Sequence, residues 1–253
     1  MVKAVKKTSL SEILRFRQLF LHEANMQFVF NKCHDYGWAD EYACWLGKTI
    51  IGYGAVWGQD RREDRDAIFE FYLINTYREL APLYFPLFIR ATAATHIEWQ
   101  TNDPLLHPLA INYVPDAVTE AILFEDHRST DLPDTGLTCN RLPQEAGDRS
   151  DEWKFELLHE GLIVATGGVL FNYNFPYGDL YMEVPEAHRR KGYGSYLIQE
   201  IKRQVYLHGR VPAARCNPDN TASRKTLEKA GFRTCGERKK GLLTISGKAE
   251  NVS

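Results

Sequence analysis

The N-terminal third of the chain switches between helical and strand spacing of its apolar residues. Apolar residues recur with helical spacing over 9–30, which predicts a helix. Two apolar runs flank the Gly47-Lys48 turn and predict a hairpin over 41–58. A strand over 68–74 and a helix over 82–94 follow, so this region predicts a mixed fold of helices and strands.

A similar order of elements is predicted after a segment over 129–151 that is rich in Pro, Gly, Asp and Thr. The predicted elements are strands over 153–158 and 161–171, a strand over 180–184, a helix over 194–207, a strand over 213–216 and a helix over 221–230. The remaining C-terminal residues are polar and predict no further element.

Three landmarks occur in both halves of the chain, separated by 111 to 115 residues. The pairs are Gly47 with Gly161, Tyr77-Arg78 with His188-Arg189, and Asn102-Asp103 with Asn217-Pro218. Because these pairs keep their order, they predict two copies of one α/β unit. We predict a first domain over 1–130, a linker over 131–150 and a second domain over 151–253.

The charge balance argues against nucleic-acid and membrane partners. The 31 Lys and Arg residues and 33 Asp and Glu residues give a net charge of −2, which provides neither a nucleic-acid footprint nor a polybasic membrane handle. The five cysteines form no CxxC pair and their number is odd, so neither a disulfide framework nor a metal site is predicted. A cytoplasmic location follows as the simplest expectation.

The hexapeptide Arg189-Arg190-Lys191-Gly192-Tyr193-Gly194 lies between a predicted strand and a predicted helix. Backbone N–H groups in such a turn, with the helix dipole behind them, favour an anion. Glycines let the backbone approach a diphosphate, and the basic side chains add positive charge. A dinucleotide-binding loop would need a third glycine where Leu197 stands. The alternative is a glycine-rich turn with solvated basic residues.

A second motif follows the next predicted strand. Asn217, Asn220 and Ser223 recur every third residue at the start of a helix that ends in Ala230-Gly231-Phe232. Asn and Ser are also ordinary helix caps, so the motif alone is weak. Its order after the glycine loop makes the combination specific.

With both motifs in place, residues 153–236 resemble a domain of the GNAT N-acetyltransferase superfamily. The segment 184–194 resembles its acetyl-CoA loop, and 217–232 resembles its second CoA-contacting motif. The resemblance implies an α+β fold, with a mixed, splayed β-sheet flanked by helices, in two tandem GNAT-like domains. It also implies acetyl-CoA as co-substrate.

The resemblance further implies a role for each part of the second domain. Backbone groups near 182–184 are expected to pair with the pantetheine and the acetyl carbonyl, and the amides of 190–195 to hold the pyrophosphate. The side chains of Asn220 and Ser223 are expected near the sulfur. The residues expected to bind acetyl-CoA are Met182, Val184, Arg189, Arg190, Lys191, Gly192, Tyr193, Gly194, Ser195, Asn217, Asn220 and Ser223.

The implied reaction is direct transfer of the acetyl group to a primary amine of a small molecule or peptide, in a ternary complex. A protonated amine is no nucleophile, so a base is needed. Glu183 is the first candidate, because apolar neighbours would bury it and raise its pKa. Asp179 is the second candidate; alternatively, Glu183 is a solvated or salt-bridged carboxylate of the strand.

The sequence departs from the family at the proton donor. Many members have Tyr where this chain has Leu227. Ser223 or Cys216 could replace the tyrosine in part, or CoA could leave as the thiolate. The departure leaves a second function open, a non-catalytic module that binds or senses acyl-CoA. Transfer of a longer acyl chain is a third possibility, and the protein is expected to be a monomer or homodimer.

The first domain lacks the glycines of the loop. Ala81 and Leu83 stand where the second domain has Gly192 and Gly194, and Pro82 between them removes an N–H donor. We therefore expect a degenerate GNAT-like domain without a CoA loop.

Overall fold

A computed structural model describes residues 2–23, 26–27, 31–134, 136–145, 147 and 149–244. The chain forms two compact units. The first comprises Met1–Glu120 with Glu237–Ser253, and the second comprises Ala121–Gly236. The boundaries therefore differ from the predicted linker over 131–150, because that segment contains a strand of the second unit.

The first unit is a mixed sheet with helices. Its elements are β1 (Lys3–Thr8), α1 (Leu10–Glu23), α2 (Asn31–Asp35), β2 (Ala39–Leu46), β3 (Thr49–Trp57), β4 (Ala67–Leu73), a 3-10 helix (Asn75–Leu80), α3 (Ala81–Thr92), β5 (His96–Gln100), α4 (Leu106–Ala110), the start of β6 (Val118–Asp126) and the end of β12 (Phe232–Leu242). The strand order β1-β2-β3-β4-β5-β12 is antiparallel except for the parallel pair β4 and β5.

The second unit repeats this plan without the first two helices. It contains the end of β6, then β7 (Leu137–Arg141), β8 (Glu152–His159), β9 (Leu162–Leu170), β10 (Tyr177–Glu183), a 3-10 turn (Glu186–His188), α5 (Tyr193–Leu207), β11 (Val211–Cys216), α6 (Thr221–Lys229) and the start of β12. Its strand order is β12-β6-β11-β10-β9-β8-β7, and β10 and β11 form its parallel pair. The predicted α+β class with tandem GNAT-like units is confirmed.

One face of the second sheet is covered by α5. The helix buries Leu197, Ile198, Ile201 and Val205, which recur on one side as the helical period requires. These residues pack on alternate strand residues, among them Leu180, in the core of the unit. This packing positions α5 on the sheet, and with it the first turn of the helix.

The sheet opens between β10 and β11. Their parallel pairing is recorded from Tyr177 with Val211 to Leu180 with Ala214. Beyond that point β10 continues along β9 as far as Glu183, while β11 continues along β6. The two strands therefore part beyond Leu180, which is the splay that the family resemblance predicts.

A buried polar cluster lies between α1, α2 and the sheet of the first unit. Glu70, fully buried on β4, accepts hydrogen bonds from Arg17 and from the Tyr53 hydroxyl, the latter at 2.8 Å. His34 Nε2 lies 3.2 Å from the same carboxylate. Burial by itself would raise the pKa of Glu70, but the charges of Arg17 and His34 outweigh it and hold the pKa at about 2.

Most predicted elements are present, with shifts at their ends. The hairpin turn at Gly47 is confirmed, with the glycine in the left-handed region. The predicted helix over 9–30 ends earlier as α1; residues 24–25 and 28–30 of that prediction lie outside the described residues. The sequence patterns gave no range for five strands, β1, β5, β6, β7 and β12.

Candidate functional site

The loop between β10 and α5 has the backbone that its sequence predicts. Gly192, the N-cap of α5, has φ 89°, and Arg190 has φ 64°. Arg189 Nε donates a hydrogen bond of 3.0 Å to the carbonyl oxygen of Val184, which ties the loop to the end of its strand. The loop is therefore held in one shape by glycine conformation and by this side-chain contact.

The first turn of α5 presents uncapped N–H groups. Gly192 has no side chain to cap the helix, and no side-chain cap is formed at this end. The N–H groups of the first helical turn have no partner within the helix. Together with the positive end of the helix dipole, the N–H groups of Tyr193, Gly194 and Ser195 are chemically suited to bind an anion.

The two glycines of the loop have different roles. A β-carbon on Gly194 would lie 3.1 Å from Thr226 Cγ2 and 3.2 Å from Val184 Cγ2, so this glycine allows α5 to pack closely against its neighbours. A β-carbon on Gly192 would approach only Lys229 Nζ, at 3.5 Å. Thus Gly192, rather than Gly194, keeps the space outside the turn open.

A cavity of about 940 Å³ lies over this turn. It is lined by the end of β10, by the loop with the first turn of α5, and by one side of α6. Its size is within the range of cofactor sites. Its charged lining comprises the cations Arg189, Arg190, Lys225 and Lys229 with His188, and the carboxylates Glu183 and Glu186. The cavity therefore suits an anionic ligand of cofactor size.

The start of α6 is built by the second motif. Asn220 caps the helix, and its side chain accepts a 2.9 Å hydrogen bond from the N–H of Ser223. Asn220 and Ser223 both line the cavity. The motif therefore performs the ordinary capping role and also places polar groups at the cavity.

Eleven of the predicted site residues line this cavity. They are Met182, Glu183, Val184, Arg189, Arg190, Gly192, Tyr193, Gly194, Ser195, Asn220 and Ser223. The loop and the second motif, separated in sequence, thus meet around one space.

Three predicted site residues, Asp179, Lys191 and Asn217, are not among the lining residues. Asp179 is buried, and one of its carboxylate oxygens lies 3.2 Å from Arg215 Nη2. The Asn217 side chain accepts a 3.0 Å hydrogen bond from the N–H of Asp219, so it shapes the turn before α6. Lys191 is exposed. The structure therefore gives these residues positions outside the cavity.

The environment of Glu183 differs from the prediction. The residue lines the cavity, but it is exposed rather than enclosed by apolar neighbours. Its face of the sheet is the one opposite α5, because Leu180 and Met182 point towards the helix core. The prediction that Glu183 is buried is therefore wrong, whereas its position at the cavity supports its candidacy.

The structure also distinguishes between the candidate proton donors. Leu227 is buried in the core of the unit and is not among the residues that line the cavity. Cys216 lies in the same core, and burial raises the pKa of its thiol. Ser223 remains a hydroxyl at the cavity.

Sequence reasoning missed several lining residues, chiefly on α6. They are Glu186, His188, Thr221, Ala222, Lys225, Thr226 and Lys229. The signal was present in the helical period, since residues 222, 225, 226 and 229 lie on one face of a helix. The motif residues lie only at the start of α6, so they did not predict the lining residues of its later turns.

Comparison with known proteins agrees with this geometry. The model of the FR47-like protein family, which is GNAT-related, matches residues 165–240. That range contains β10, the loop, α5 and α6. No curated protein sequence matches the chain.

Solved structures match over nearly the whole chain. A GNAT-family acetyltransferase from Colwellia psychrerythraea has a TM-score of 0.72 at 14% identity, covering 95% of this chain and 99% of its own. A tandem GNAT protein from the clavulanic acid biosynthesis pathway has a TM-score of 0.59 at 12% identity, covering 95% and 98%. A GCN5-related N-acetyltransferase from Sphaerobacter thermophilus has a TM-score of 0.59 at 12% identity, covering 95% of both chains.

These identities are low, so the structural matches establish the fold and leave the reaction open. Within the described ranges, no helix is long and apolar enough to cross a membrane. The strand order, the splay between β10 and β11, and the family-model match converge on one assignment. The chain has the GNAT acetyltransferase fold in tandem, and residues 165–236 of its second unit fall within the range matched by the GNAT-related FR47-like family model.

Proposed function

We propose that the second unit binds acetyl-CoA in the cavity over α5. The observation that carries this proposal is the uncapped first turn of α5, open to the cavity at Gly192. A pyrophosphate placed there accepts hydrogen bonds from the N–H groups of residues 193–195 and is favoured by the helix dipole. The surplus of cations in the cavity lining supports the same ligand.

The pantetheine arm and thioester lie along the end of β10 in this proposal. Residues 181–183 pair with β9 on one side, and on the other side β11 has moved away. The backbone groups on that open side are available to a ligand that takes the place of a strand. An N–H near Val184 would then stabilise the oxyanion that forms during transfer.

We propose that the reaction is direct transfer of the acetyl group to a primary amine. Glu183 is the carboxylate at the thioester end of the cavity and removes a proton from the amine, directly or through water. Because the position of the usual tyrosine is a buried leucine, CoA leaves as the thiolate or takes a proton from Ser223 or from solvent.

The acceptor is a small molecule or a peptide with a primary amine. The protein is proposed to act in the cytoplasm as a monomer or homodimer. The cysteines support a reducing compartment, since Cys33, Cys44, Cys139 and Cys216 form no disulfide bond.

A second candidate function is a non-catalytic module that binds acyl-CoA. It is favoured by Leu227, which places an apolar side chain in the core where many family members have a phenol. In this case the cavity binds the same ligand, and no acceptor is acetylated.

Calorimetry with CoA and acetyl-CoA, combined with a thiol-release assay over a panel of amines, tests both functions. Binding with thiol release on an amine supports the enzyme. Binding without release on any amine supports the sensing module. Absence of CoA binding contradicts both.

A further inference from the structure

Two cations of the cavity lining belong to α6 and not to the loop between β10 and α5. Lys225 and Lys229 are one helical turn apart and both line the cavity. Neither forms an ion pair with any residue that the structure describes, whereas their neighbour Arg224 lies 3.0 Å from Glu228. Two ammonium groups on the cavity face of α6 therefore have hydrogen-bond donors available to a ligand.

The position of Lys229 is tied to the anion site. Its Nζ lies 3.5 Å from the point that a β-carbon on Gly192 would occupy. Thr226, between the two lysines in sequence, lies against Gly194 in the same way. The helix α6 therefore runs alongside the first turn of α5, and its cations face the space where that turn presents N–H groups.

Coenzyme A has more phosphate charge than the proposed pyrophosphate site at the loop would neutralise. Coenzyme A has a pyrophosphate and a separate 3′-phosphate, so two phosphate sites need neutralising. Arg189 is partly committed, because its Nε donates to the Val184 carbonyl. A lysine ammonium, with three donors on a flexible stem, suits a phosphate as a point charge.

We propose that Lys225 and Lys229 form a two-cation clamp that holds a phosphate group of coenzyme A. The inference rests on the proposed CoA binding and adds to it a second phosphate-binding element, contributed by α6. The phosphate is either the pyrophosphate over Gly192 or the 3′-phosphate, and the two sources are separable by experiment.

The test compares the double variant Lys225→Gln/Lys229→Gln with the wild-type protein by calorimetry. Glutamine keeps a good helix propensity, and both lysines are exposed, so the fold is expected to survive with little change in melting temperature. The matched control is Arg203→Gln/Arg224→Gln. It removes two charges from α5 and α6 at exposed ion pairs outside the cavity lining.

We expect the dissociation constant for CoA to rise by at least about tenfold in the lysine variant, since hydrogen bonds to charged groups are the strong ones. The control should stay within about twofold. The affinity of the lysine variant should also depend less steeply on salt concentration. A lysine variant that binds CoA as tightly as the wild type overturns the clamp, and so does an equal loss in the control.

Dephospho-CoA identifies the phosphate. If the clamp holds the 3′-phosphate, the wild type and the lysine variant bind dephospho-CoA with equal affinity. If it holds the pyrophosphate, the lysine variant loses affinity for dephospho-CoA as well. A wild-type protein that binds neither ligand contradicts the proposed function itself, which is a different result from unchanged affinity in the variant.

Discussion

Gly192 is the residue on which the shape of the anion site depends. Its φ of 89° is in the region that costs other residues about 1–2 kcal/mol. A side chain added at this position would extend into the open space outside the turn. We expect Gly192→Val to raise the dissociation constant for CoA by more than about tenfold, because the added methyl groups occupy phosphate space. Calorimetry measures the affinity, and thermal unfolding checks the fold.

Backbone strain at this position needs its own control. Gly209, at the other end of α5, also has a positive φ, of 72°, and nothing lies within 4 Å of its missing β-carbon. Gly209→Val should therefore cost similar stability and leave CoA affinity unchanged. Equal CoA affinities in the two variants would contradict the proposal that a phosphate binds at the Gly192 turn.

Glu183 is a residue whose proposed role in catalysis can be separated by experiment from CoA binding. We expect Glu183→Gln to lower kcat for acetyl transfer by about tenfold to a thousandfold and to leave the CoA dissociation constant nearly unchanged, because the change removes a base and keeps the shape. Glu186→Gln, at the other carboxylate of the cavity lining, is the control and should keep most of the kcat. Steady-state kinetics and calorimetry together separate the two effects.

The sequence predicted the position of Glu183 better than its environment. Strand alternation correctly placed Glu183 opposite Met182, but alternation says nothing of what covers a face. In the first unit α1 and α2 lie between β1 and β2, whereas the described residues of 142–151, between β7 and β8, contain no helix. The part of the face around Glu183 is therefore left without a covering helix from this connection.

At the scale of elements, the buried cluster joins α1 and α2 to β4. Glu70 has a pKa of about 2, below that of an unfolded glutamate near 4.3, so its stabilising contribution is present above about pH 4.3 and is lost as the pH falls towards 2. Burial would lower the pKa of His34, but Glu70 and Glu41 raise it overall. Its contribution is therefore present below about pH 6.5 and is lost as the pH rises.

These opposite signs predict that the stabilising contribution of this cluster is greatest between about pH 4.3 and 6.5. Glu70→Gln should flatten the acid side of this profile and cost about 3–5 kcal/mol, because Arg17 is left with an unpaired buried charge. Melting temperature measured from pH 3 to 9 checks the profile. The exposed Glu63→Gln serves as control, and a profile like that of the wild type in Glu70→Gln would contradict the assignment.

The elements missed by the sequence patterns are mostly polar strands. In β12 the residues Glu237 to Lys240 are charged and give no alternation of apolar and polar positions. Arg238 is nevertheless buried, because it pairs with Glu98 on β5 and lies 2.8 Å from Glu120 on β6. Such a strand is stabilised by partners that are far away in sequence. A local pattern of residues therefore does not predict it.

At the scale of the whole molecule, β12 belongs to both units. Its residues from 237 onwards pair with β5 in the sheet of the first unit. We expect truncation after Gly236 to destabilise the first unit and promote aggregation, because it exposes the backbone edge of β5 and leaves Glu98 buried without Arg238. Thermal unfolding and size-exclusion chromatography measure the two effects.

A truncation after Thr244 is the matched control. It keeps all of β12, so its melting temperature should be clearly higher than that of the protein truncated after Gly236. Equal stability of the two truncated proteins would show that the paired residues of β12 contribute little.

Sequence landmarks predicted the tandem architecture but misplaced its boundaries. Gly47 with Gly161 and Asn102 with Asn217 occupy equivalent places between equivalent elements, so the repeat was visible in local turn chemistry. The boundary was inferred from composition, and the polar segment 131–150 looked like a linker although β7 lies within it. Pairing of a short edge strand leaves almost no trace in composition.

The path of the chain also sets an order for folding on the ribosome. All of residues 121–236 emerge before 237–242, so the second unit is complete while the first still lacks its last strand. Until residues 237–242 emerge, β5 offers an unpaired edge to which a foreign chain can pair. The first unit, although its synthesis starts earlier, is completed after the second.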